Sequence, residues 1–197
     1  MIKVLAKQLR TTLTLLGLFT LLTGALYPLF VTAIAQIAFP FQANGSLVER
    51  NGVIYGSELI GQPFDDPSYF WGRPSLTQPY PYNGGASAGS NLSPSNPELT
   101  ARIAARIEAL KAADPANPLP IPVDLITDSG SGLDPHISPA TAEYQVERIA
   151  RLRGLDPSLV HQLVENSVEG RTFGLFGEPR VNVFYLNLAL DNLQSIS

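Results

Sequence analysis

The stretch TTLTLLGLFTLLTGALYPLFVTAIAQIAFP, residues 11–40, decides the fold of this chain. No charged residue occurs between Arg10 and Glu49, and the run is rich in Leu, Phe, Ile and Ala. A helix needs about 20 mainly apolar residues to cross the hydrocarbon core of a bilayer, and a buried helix of a soluble protein rarely runs that long without a charge. The run therefore predicts a membrane-spanning helix over residues 11–39.

The charges that flank the run predict its orientation. Three basic residues precede it: Lys3, Lys7 and Arg10. The next charges are the mixed pair Glu49 and Arg50. Because loops rich in Lys and Arg stay in the cytoplasm, residues 1–10 are predicted to be a cytoplasmic tail and residues 40–197 an extracytoplasmic domain. We expect a single-pass membrane protein with its N-terminus in the cytoplasm and its C-terminal domain outside.

A cleaved signal peptide is the alternative interpretation of the same segment. The basic start and the residues Ala33, Ile34 and Ala35 satisfy the small-x-small rule for a cleavage site. The apolar core of a signal peptide is usually about 7 to 15 residues long, and this run is much longer. The length therefore favours a retained span.

Small residues on the predicted span indicate a face on which a second helix can pack. They are Thr14, Gly17, Gly24, Pro28 and Ala35, spaced near multiples of three or four. Such spacing lets a partner helix approach closely. Gly, Thr and Pro are also common in membrane helices for other reasons, so both interpretations stay open.

The composition beyond the span limits the function classes. All seventeen acidic residues follow the span, together with ten of the thirteen basic residues. This acidic balance argues against a nucleic-acid partner. The sequence contains no cysteine, so neither a disulfide framework nor a Cys-based zinc site is available. The remaining length is that of one ordinary domain, which has to be stabilised by packing alone.

Local signals predict helices in the middle of the outer domain. The first helix should be capped by Ser95 or Asn96, with Pro97 in its first turn. Ser138 and Asp156, each followed by a proline, should start the second and third helices, and the second should end at Gly154. Strands are predicted in NGVIYGSELIGQPF (51–64), PVDLIT (122–127) and the terminal stretch EGRTFGLFGEPRVNVFYLNLAL (169–190). Clustered helices with strands before and after predict an α+β fold rather than regular βαβ alternation.

A stretch dense in Pro, Gly, Ser and Asn lies ahead of the first of these helices and predicts loops. It carries five large aromatic residues: Tyr69, Phe70, Trp71, Tyr80 and Tyr82. These are too many rings for a freely solvated linker. We expect them to pack on the domain, with packing on another protein as the alternative.

Polar residues between Asp128 and His136 raise the hypothesis of a hydrolytic site. Ser129 and Ser131 are candidate nucleophiles, and His136 is a candidate base. However, no Gly-x-Ser-x-Gly elbow is present, and triads are normally assembled from distant segments of a chain. The pattern therefore favours a tight structural loop over a catalytic one.

A metal site is the second chemical hypothesis for this region. Its candidate ligands are Asp124, Asp128, Asp134 and His136, whose spacing fits neither the calcium loop nor the zinc helix motif. The Walker A pattern is absent as well, because the only lysine outside the N-terminal tail is Lys111 in a predicted helix. An independent membrane-anchored periplasmic hydrolase or metal-binding protein is kept as the alternative function.

Several stretches resemble one known family, the C subunit of the bacterial Kdp potassium-transporting P-type ATPase (KdpC family). They are PVDLITDSGSGLDPHISPATAEYQVERIARLRGL (122–155), GSELIGQPF (56–64) with YFWGRPS (69–75), SAGSNLSPSNPEL (87–99) and EGRTFGLFGEPRVNVFYLNLAL (169–190). With the N-terminal span, they cover nearly the whole chain in order.

The resemblance implies a non-catalytic accessory subunit of a high-affinity, ATP-driven potassium import complex, and a location in the bacterial inner (plasma) membrane. Its partners would be a channel-like potassium-binding subunit and an ATP-hydrolysing P-type subunit, so ATP and potassium act in the complex and no cofactor is bound directly by this chain. The resemblance also implies a chaperone that raises the nucleotide affinity of the hydrolysing subunit, with residues 129–132 and Gln145 likened to a transporter signature. If the N-terminus is inside, Gln145 lies outside and such an effect has to be allosteric.

The family signature falls on nine positions, for which we expect structural or interface roles. They are Ser129, Gly130, Ser131, Gly132, Asp134, His136, Gln145, Glu178 and Arg180. No catalytic residue and no metal ligand is expected among them. Glu178 beside Arg180, or Asp134 beside a loop amide, is expected to hold the loops in register.

Overall fold

The computed structural model describes residues 2–50 and 52–194. Contacts divide the chain into two compact units, one that ends at Leu47 and one that begins at Val48. The first unit is helical, and the second mixes helices with short strands. The expectation of an α+β protein with one long apolar N-terminal helix is confirmed.

The first unit is dominated by a continuous apolar helix. It comprises α1 (Ile2–Leu21), one π-helical turn (Leu22–Leu26) and α2 (Tyr27–Ala38), and the short α3 (Pro40–Ala43) follows. The segment Lys3–Ala38 is long and apolar enough to cross a membrane. Its large apolar side chains are exposed, as contact with lipid requires. The limits 1–10, 11–39 and 40–197 stay predictions.

The π-helical turn has a local cause in Pro28. Proline has no backbone N–H, so it cannot donate to the carbonyl of Gly24 as an α-helix requires. The backbone widens instead, and the N–H of Tyr27 donates to the carbonyl of Leu22. Gly17 and Gly24 have no atom within 4 Å of the point where a Cβ would stand. The backbone is open there, and a packing role for Gly17, Gly24 and Pro28 stays a prediction.

The second unit, which we call the outer unit after its predicted side of the membrane, starts with two short strands and a long irregular segment. Strands β1 (Leu47–Arg50) and β2 (Val53–Ser57) pair with each other. Residues 58–96 contain no regular helix or strand, which confirms the prediction of loops. Helix α4 (Pro97–Ala113) begins where predicted, because the Asn96 side chain accepts a hydrogen bond from the N–H of Glu98 at 2.9 Å.

The middle of the outer unit is helical, with two differences from the predictions. The predicted strand in PVDLIT is wrong, because Val123–Leu125 forms a 3₁₀ turn. Past β3 (His136–Ile137), the helix predicted between Ser138 and Gly154 is divided at Gln145 into α5 (Pro139–Tyr144) and α6 (Val146–Arg153). Gly154 ends α6 in the left-handed conformation as predicted, and α7 (Pro157–Asn166) follows.

The end of the chain differs most from the prediction. Among the described residues after α7, only β4 (Val168–Glu169) and β5 (Arg180–Asn182) are strands, and the apolar residues that follow form α8 (Val183–Gln194). Asn182 begins this helix, because its side-chain oxygen accepts from the N–H groups of Phe184 at 3.0 Å and Tyr185 at 3.3 Å. The capping asparagine and helical spacing of apolar residues outweigh the strand preference of Val, Phe and Tyr.

A small antiparallel sheet and the helices around it form the core. The strand order is β3-β5-β4, with Ile137 opposite Val181 and Val168 also opposite Val181. The main cluster joins this sheet to the inner faces of the helices: Phe70, Ile137, Ala142, Val146, Ile149, Ala150, Val160, Val164, Val181, Val183, Leu186 and Leu190. A second cluster contains Trp71, Leu110, Leu125 and Tyr144. The core therefore includes two residues of the irregular segment.

The aromatic residues of the irregular segment divide into three groups. Phe70 and Trp71 are buried, Tyr69 and Tyr82 are half-buried, and Tyr80 is exposed. Burial raises the pKa of Tyr82 to about 12, and its hydroxyl donates to the carbonyl of Arg73 at 2.6 Å. The expectation that these rings pack on the domain is confirmed for all but Tyr80.

We expect Asn182→Ala to lower the free energy of unfolding by about 2 kcal/mol, because Asn182 caps α8 and also donates to the carbonyl of Glu58 at 2.9 Å. Asn96→Ala removes the cap of the largely exposed α4 and is the matched control, with an expected loss of about 1 kcal/mol or less. Urea unfolding of the full chain in detergent, followed by the fluorescence of its single tryptophan, measures both losses. Equal losses would contradict the double role of Asn182.

Candidate functional site

The signature loop, residues 129–132, is tied to the irregular segment through its carbonyl groups. The carbonyl of Ser131 accepts hydrogen bonds from the N–H of Ala88 and the hydroxyl of Ser87, both at 3.0 Å. The carbonyl of Gly132 accepts from the hydroxyl of Ser75 at 2.6 Å. These contacts hold together two parts of the chain that are more than forty residues apart.

Close packing explains why glycine stands at position 132. Gly132 has φ +68°, and a Cβ there would lie 2.6 Å from Cγ2 of Thr77 and 2.7 Å from the carbonyl oxygen of Ala88. Both the left-handed backbone and the lack of space exclude a side chain. The glycine of the signature loop thus serves a close approach of two backbone segments.

Neither serine of the loop is placed as a nucleophile. The hydroxyl of Ser129 is buried, and the described residues offer it no hydrogen-bond partner. The hydroxyl oxygen of Ser131 accepts from the N–H of Leu133 at 3.1 Å. The His136 ring instead contacts Asp134, with Nδ1 3.1 Å from its Oδ1. The hydrolase hypothesis therefore gains no geometric support within the described part of the chain.

Asp134 joins the signature region to the irregular segment. One carboxylate oxygen lies 3.3 Å from Nη1 of Arg73, and the other accepts from the backbone N–H of His136 at 3.0 Å. Burial opposes the charged form, but the hydrogen bonds from His136 and the positive charges of His136 and Arg73 outweigh it and lower the pKa of Asp134. The expectation that Asp134 contacts a loop amide agrees with this geometry.

Asp124, one of the residues proposed as a metal ligand, is occupied with backbone and hydroxyl groups of the fold. Asp124 accepts from the N–H of Ser138 at 2.8 Å and from the hydroxyl of Thr141. In residues 2–50 and 52–194, no three His, Asp or Glu side chains come together in a way that could hold a metal ion. Asp124 therefore acts as a brace between the 3₁₀ turn and α5.

All four hydrogen-bonding positions of the Gln145 side chain are satisfied inside the fold. It is 1% exposed, and its amide oxygen accepts from the N–H of Trp71 at 2.8 Å and from Nη2 of Arg148 at 2.6 Å. Its amide nitrogen donates to the carbonyl groups of Trp71 at 3.1 Å and Thr141 at 3.2 Å. A glutamine side chain offers two donor hydrogens and two acceptor lone pairs, and all four are used.

The same irregular segment is held by three further side chains that the sequence did not single out. Asn187 on α8 is bonded to both backbone groups of Phe70, at 2.9 and 3.0 Å. Arg153 donates to the carbonyl of Ser68 at 2.7 Å, and Arg106 donates to that of Gly72 at 3.1 Å. Asn187 and Arg106 interrupt apolar stripes of α8 and α4, which is the sequence signal that could have revealed them.

Arg148 completes this arrangement as a buried positive charge. It donates to the carbonyl groups of Pro67 and Tyr69, and its guanidinium carbon lies 4.9 Å from the centre of the Trp71 ring. Burial lowers the pKa of Arg148 to about 10, which keeps the side chain charged at neutral pH. Carbonyl dipoles and the face of the Trp71 ring compensate this charge inside the domain. We call Gln145, Arg148 and Asn187 the polar hub.

The last family motif is paired differently from the expectation. Glu178 lies 2.6 Å from Nη2 of Arg171, and Arg180 lies 3.0 Å from Glu169, so Glu178 and Arg180 are not each other's partner. The antiparallel register of β4 and β5, which places Glu169 opposite Arg180, decides this pairing. Both pairs are exposed and contribute little stability at physiological salt.

The signature region and the last motif nevertheless meet at one shallow cleft of about 240 Å³. Its charged and polar lining consists of Arg73, Asp124, Asp134, His136, Ser138, Glu178 and Arg180. Positive and negative groups both line it: Arg73 pairs with Asp134, while Glu178 and Arg180 pair with residues outside the lining. Four of the nine family positions line this cleft: Asp134, His136, Glu178 and Arg180. Its outer edge is therefore a candidate interface.

We expect Gln145→Ala to lower the free energy of unfolding by at least about 3 kcal/mol, because it leaves both backbone groups of Trp71 without their partner in a buried site. Gln62→Ala removes one bond, from Nε2 to the carbonyl of Tyr55 at 2.9 Å, at a half-buried position and is the matched control. It should cost about 1 kcal/mol or less. Urea unfolding of the full chain in detergent measures both, and a small loss for Gln145→Ala would refute the polar hub.

Comparison with known proteins gives one consistent result. Residues 9–192 match the family model KdpC, described as K+-transporting ATPase, c chain. A protein of Methylococcus capsulatus is 61% identical over 182 residues, which are 92% of this chain and 96% of that protein. One of Sorangium cellulosum is 63% identical over 184 residues, which are 93% and 97% of the two chains. Both are named potassium-transporting ATPase KdpC subunit, and the chain therefore belongs to the KdpC family.

Proposed function

We propose that this chain is a non-catalytic accessory subunit of a high-affinity, ATP-driven potassium import complex. The match of residues 9–192 to the KdpC family carries the proposal, because it covers the apolar helix and nearly all of the outer unit. The relatives are named as subunits of a potassium-transporting ATPase, a P-type pump. The proposed partners are a channel-like potassium-binding subunit and an ATP-hydrolysing subunit.

The geometry supports a role in assembly rather than in chemistry. Signature residues such as Gln145, Gly132 and Asp134 are engaged in holding the irregular segment to the helices. A domain whose loops are braced in this way offers a partner a preformed surface, which lowers the entropy cost of association. The apolar helix would anchor this surface at the membrane.

A second part of the proposal concerns the nucleotide affinity of the hydrolysing subunit. All four hydrogen-bonding positions of Gln145 are used within the fold, which leaves none for a nucleotide. Any effect of this chain on ATP binding is therefore proposed to be allosteric. Such coupling requires that the chain bind two states of the pump with unequal affinity.

We expect complex assembly to depend on this chain. When the partner subunits are expressed without it, the yield of intact complex should fall about tenfold or more, because a lost interface of even 1.4 kcal/mol shifts the association equilibrium by that factor. Co-purification from membranes and potassium-dependent ATP hydrolysis measure the effect. Intact assembly and full turnover without the chain would rule out the accessory role. If the KM for ATP is the same with and without this chain, only the proposed allosteric effect on ATP binding is refuted.

The orientation is proposed from the basic flank and can be tested directly, because the chain has no cysteine of its own. Val4→Cys and Ser93→Cys place single thiols at exposed positions of the two units. A membrane-impermeant maleimide added to cells with a permeable outer envelope should label the thiol at position 93. It should reach position 4 only after the inner membrane is opened. The reverse pattern would overturn the orientation.

A further inference from the structure

The turn between β4 and β5 presents large apolar side chains to solvent. We call residues 172–177, with the sequence TFGLFG, the apolar tip. Phe173 is 89% exposed, Leu175 75% and Phe176 66%. Among the described residues of the outer unit, no other large hydrophobic side chain is as exposed as Phe173 or Leu175. A contiguous apolar patch of this kind indicates an interaction site.

The apolar tip is an ordered turn and not a loose loop. The N–H of Thr172 donates to the carbonyl of Phe176 at 2.9 Å, and the N–H of Phe176 donates back to Thr172 at 3.0 Å. The N–H of Gly174 donates to the carbonyl of Arg171 at 2.9 Å. These bonds hold the rings of Phe173 and Phe176 outward, so little order has to be gained on binding.

The same turn contains one of the four described non-glycine residues that have a positive φ. Phe173 has φ +54°, a conformation that is unfavourable for a bulky residue and usual for glycine. The turn thus accepts strain in order to present an aromatic ring that no described residue of the chain covers. Strain of this kind is typical of positions that serve recognition, where the binding partner supplies the compensating contacts.

The charges around the tip indicate which kind of partner covers it. The tip itself carries no charge, and its base is neutral because Arg171 pairs with Glu178 and Glu169 with Arg180. Segments that insert into a membrane surface usually carry unpaired Lys or Arg, which attract anionic lipids. The acidic residues of the outer unit would instead repel such a surface. Charge therefore favours an apolar pocket on a protein.

We propose that the apolar tip inserts into an apolar pocket on a partner subunit of the transport complex, with Phe173 and Leu175 as the anchoring side chains. Aromatic anchors that fill a pocket contribute most of the binding energy in typical interfaces. The paired charges at the base of the turn form the polar rim around the contact. This inference rests on the proposed accessory function.

The test is the double variant Phe173→Asn/Leu175→Ser in the full chain, expressed with the partner subunits. Asparagine tolerates the left-handed backbone, so the turn is kept while its apolar surface is removed. Tyr80→Asn/Leu119→Ser is the matched control, because Tyr80 and Leu119 are exposed at 59% and 50% in other loops. We expect the tip variant to reduce co-purification of the complex about tenfold or more and the control to stay within about twofold.

The outcomes separate the tip from the accessory role. If the wild-type chain does not co-purify with transport subunits, the proposed function fails. If it does and the tip variant co-purifies equally well, only the tip inference is overturned. Urea unfolding followed by Trp71 fluorescence should be unchanged in the tip variant. A photo-reactive phenylalanine at position 173 gives a second readout: a cross-link to a partner subunit supports the inference, and cross-links to lipid alone overturn it.

Discussion

The structure of the outer unit depends on side chains that satisfy the backbone of an irregular segment. Phe70 and Trp71 belong to no helix or strand, yet both are buried, and their N–H and carbonyl groups would be costly without partners. In a sheet, a neighbouring strand would satisfy these backbone groups. Here the side-chain amide of Asn187 bonds both groups of Phe70, and the side-chain amide of Gln145 bonds both groups of Trp71. Arg148 adds two carbonyl contacts nearby. This polar hub joins the loop to α5, α6 and α8.

The hub explains why the family signature lies where it does. Gln145 stands at the junction of α5 and α6, where the helix is interrupted and its side chain can reach Trp71. Gly132 and Asp134 hold the next part of the loop through Ser75 and Arg73. Gln145, Gly132 and Asp134 thus form a framework that ties the irregular segment to the rest of the unit, and a structural role for the other signature positions stays a prediction. The same framework leaves the turn after β4 outside the core, where its apolar side chains remain exposed.

Local signals predicted the helices better than the strands. Asn96, Ser138 and Asp156 cap helices as expected, because a capping side chain acts on its own next turn and needs no distant partner. The strand predicted in 169–190 is wrong for residues 183–190, which belong to α8: their Val, Phe and Tyr suit a sheet, while the Asn182 cap and the apolar spacing suit a helix. The pairing of Glu178 with Arg171 was also missed, because it depends on the register of β4 and β5.

The sequence by itself determined the apolar helix, the helix starts and the family, because these depend on composition, on neighbours a few residues apart and on the order of motifs. Only the tertiary structure decided the partners of Gln145, Arg148 and Asn187, which lie 74 to 117 residues from the backbone groups that they bond between positions 67 and 71. Likewise, only the fold decided that Phe70 is buried and Phe173 exposed. Burial depends on how the whole chain packs, so two phenylalanine residues can differ completely in exposure although their side chains are identical.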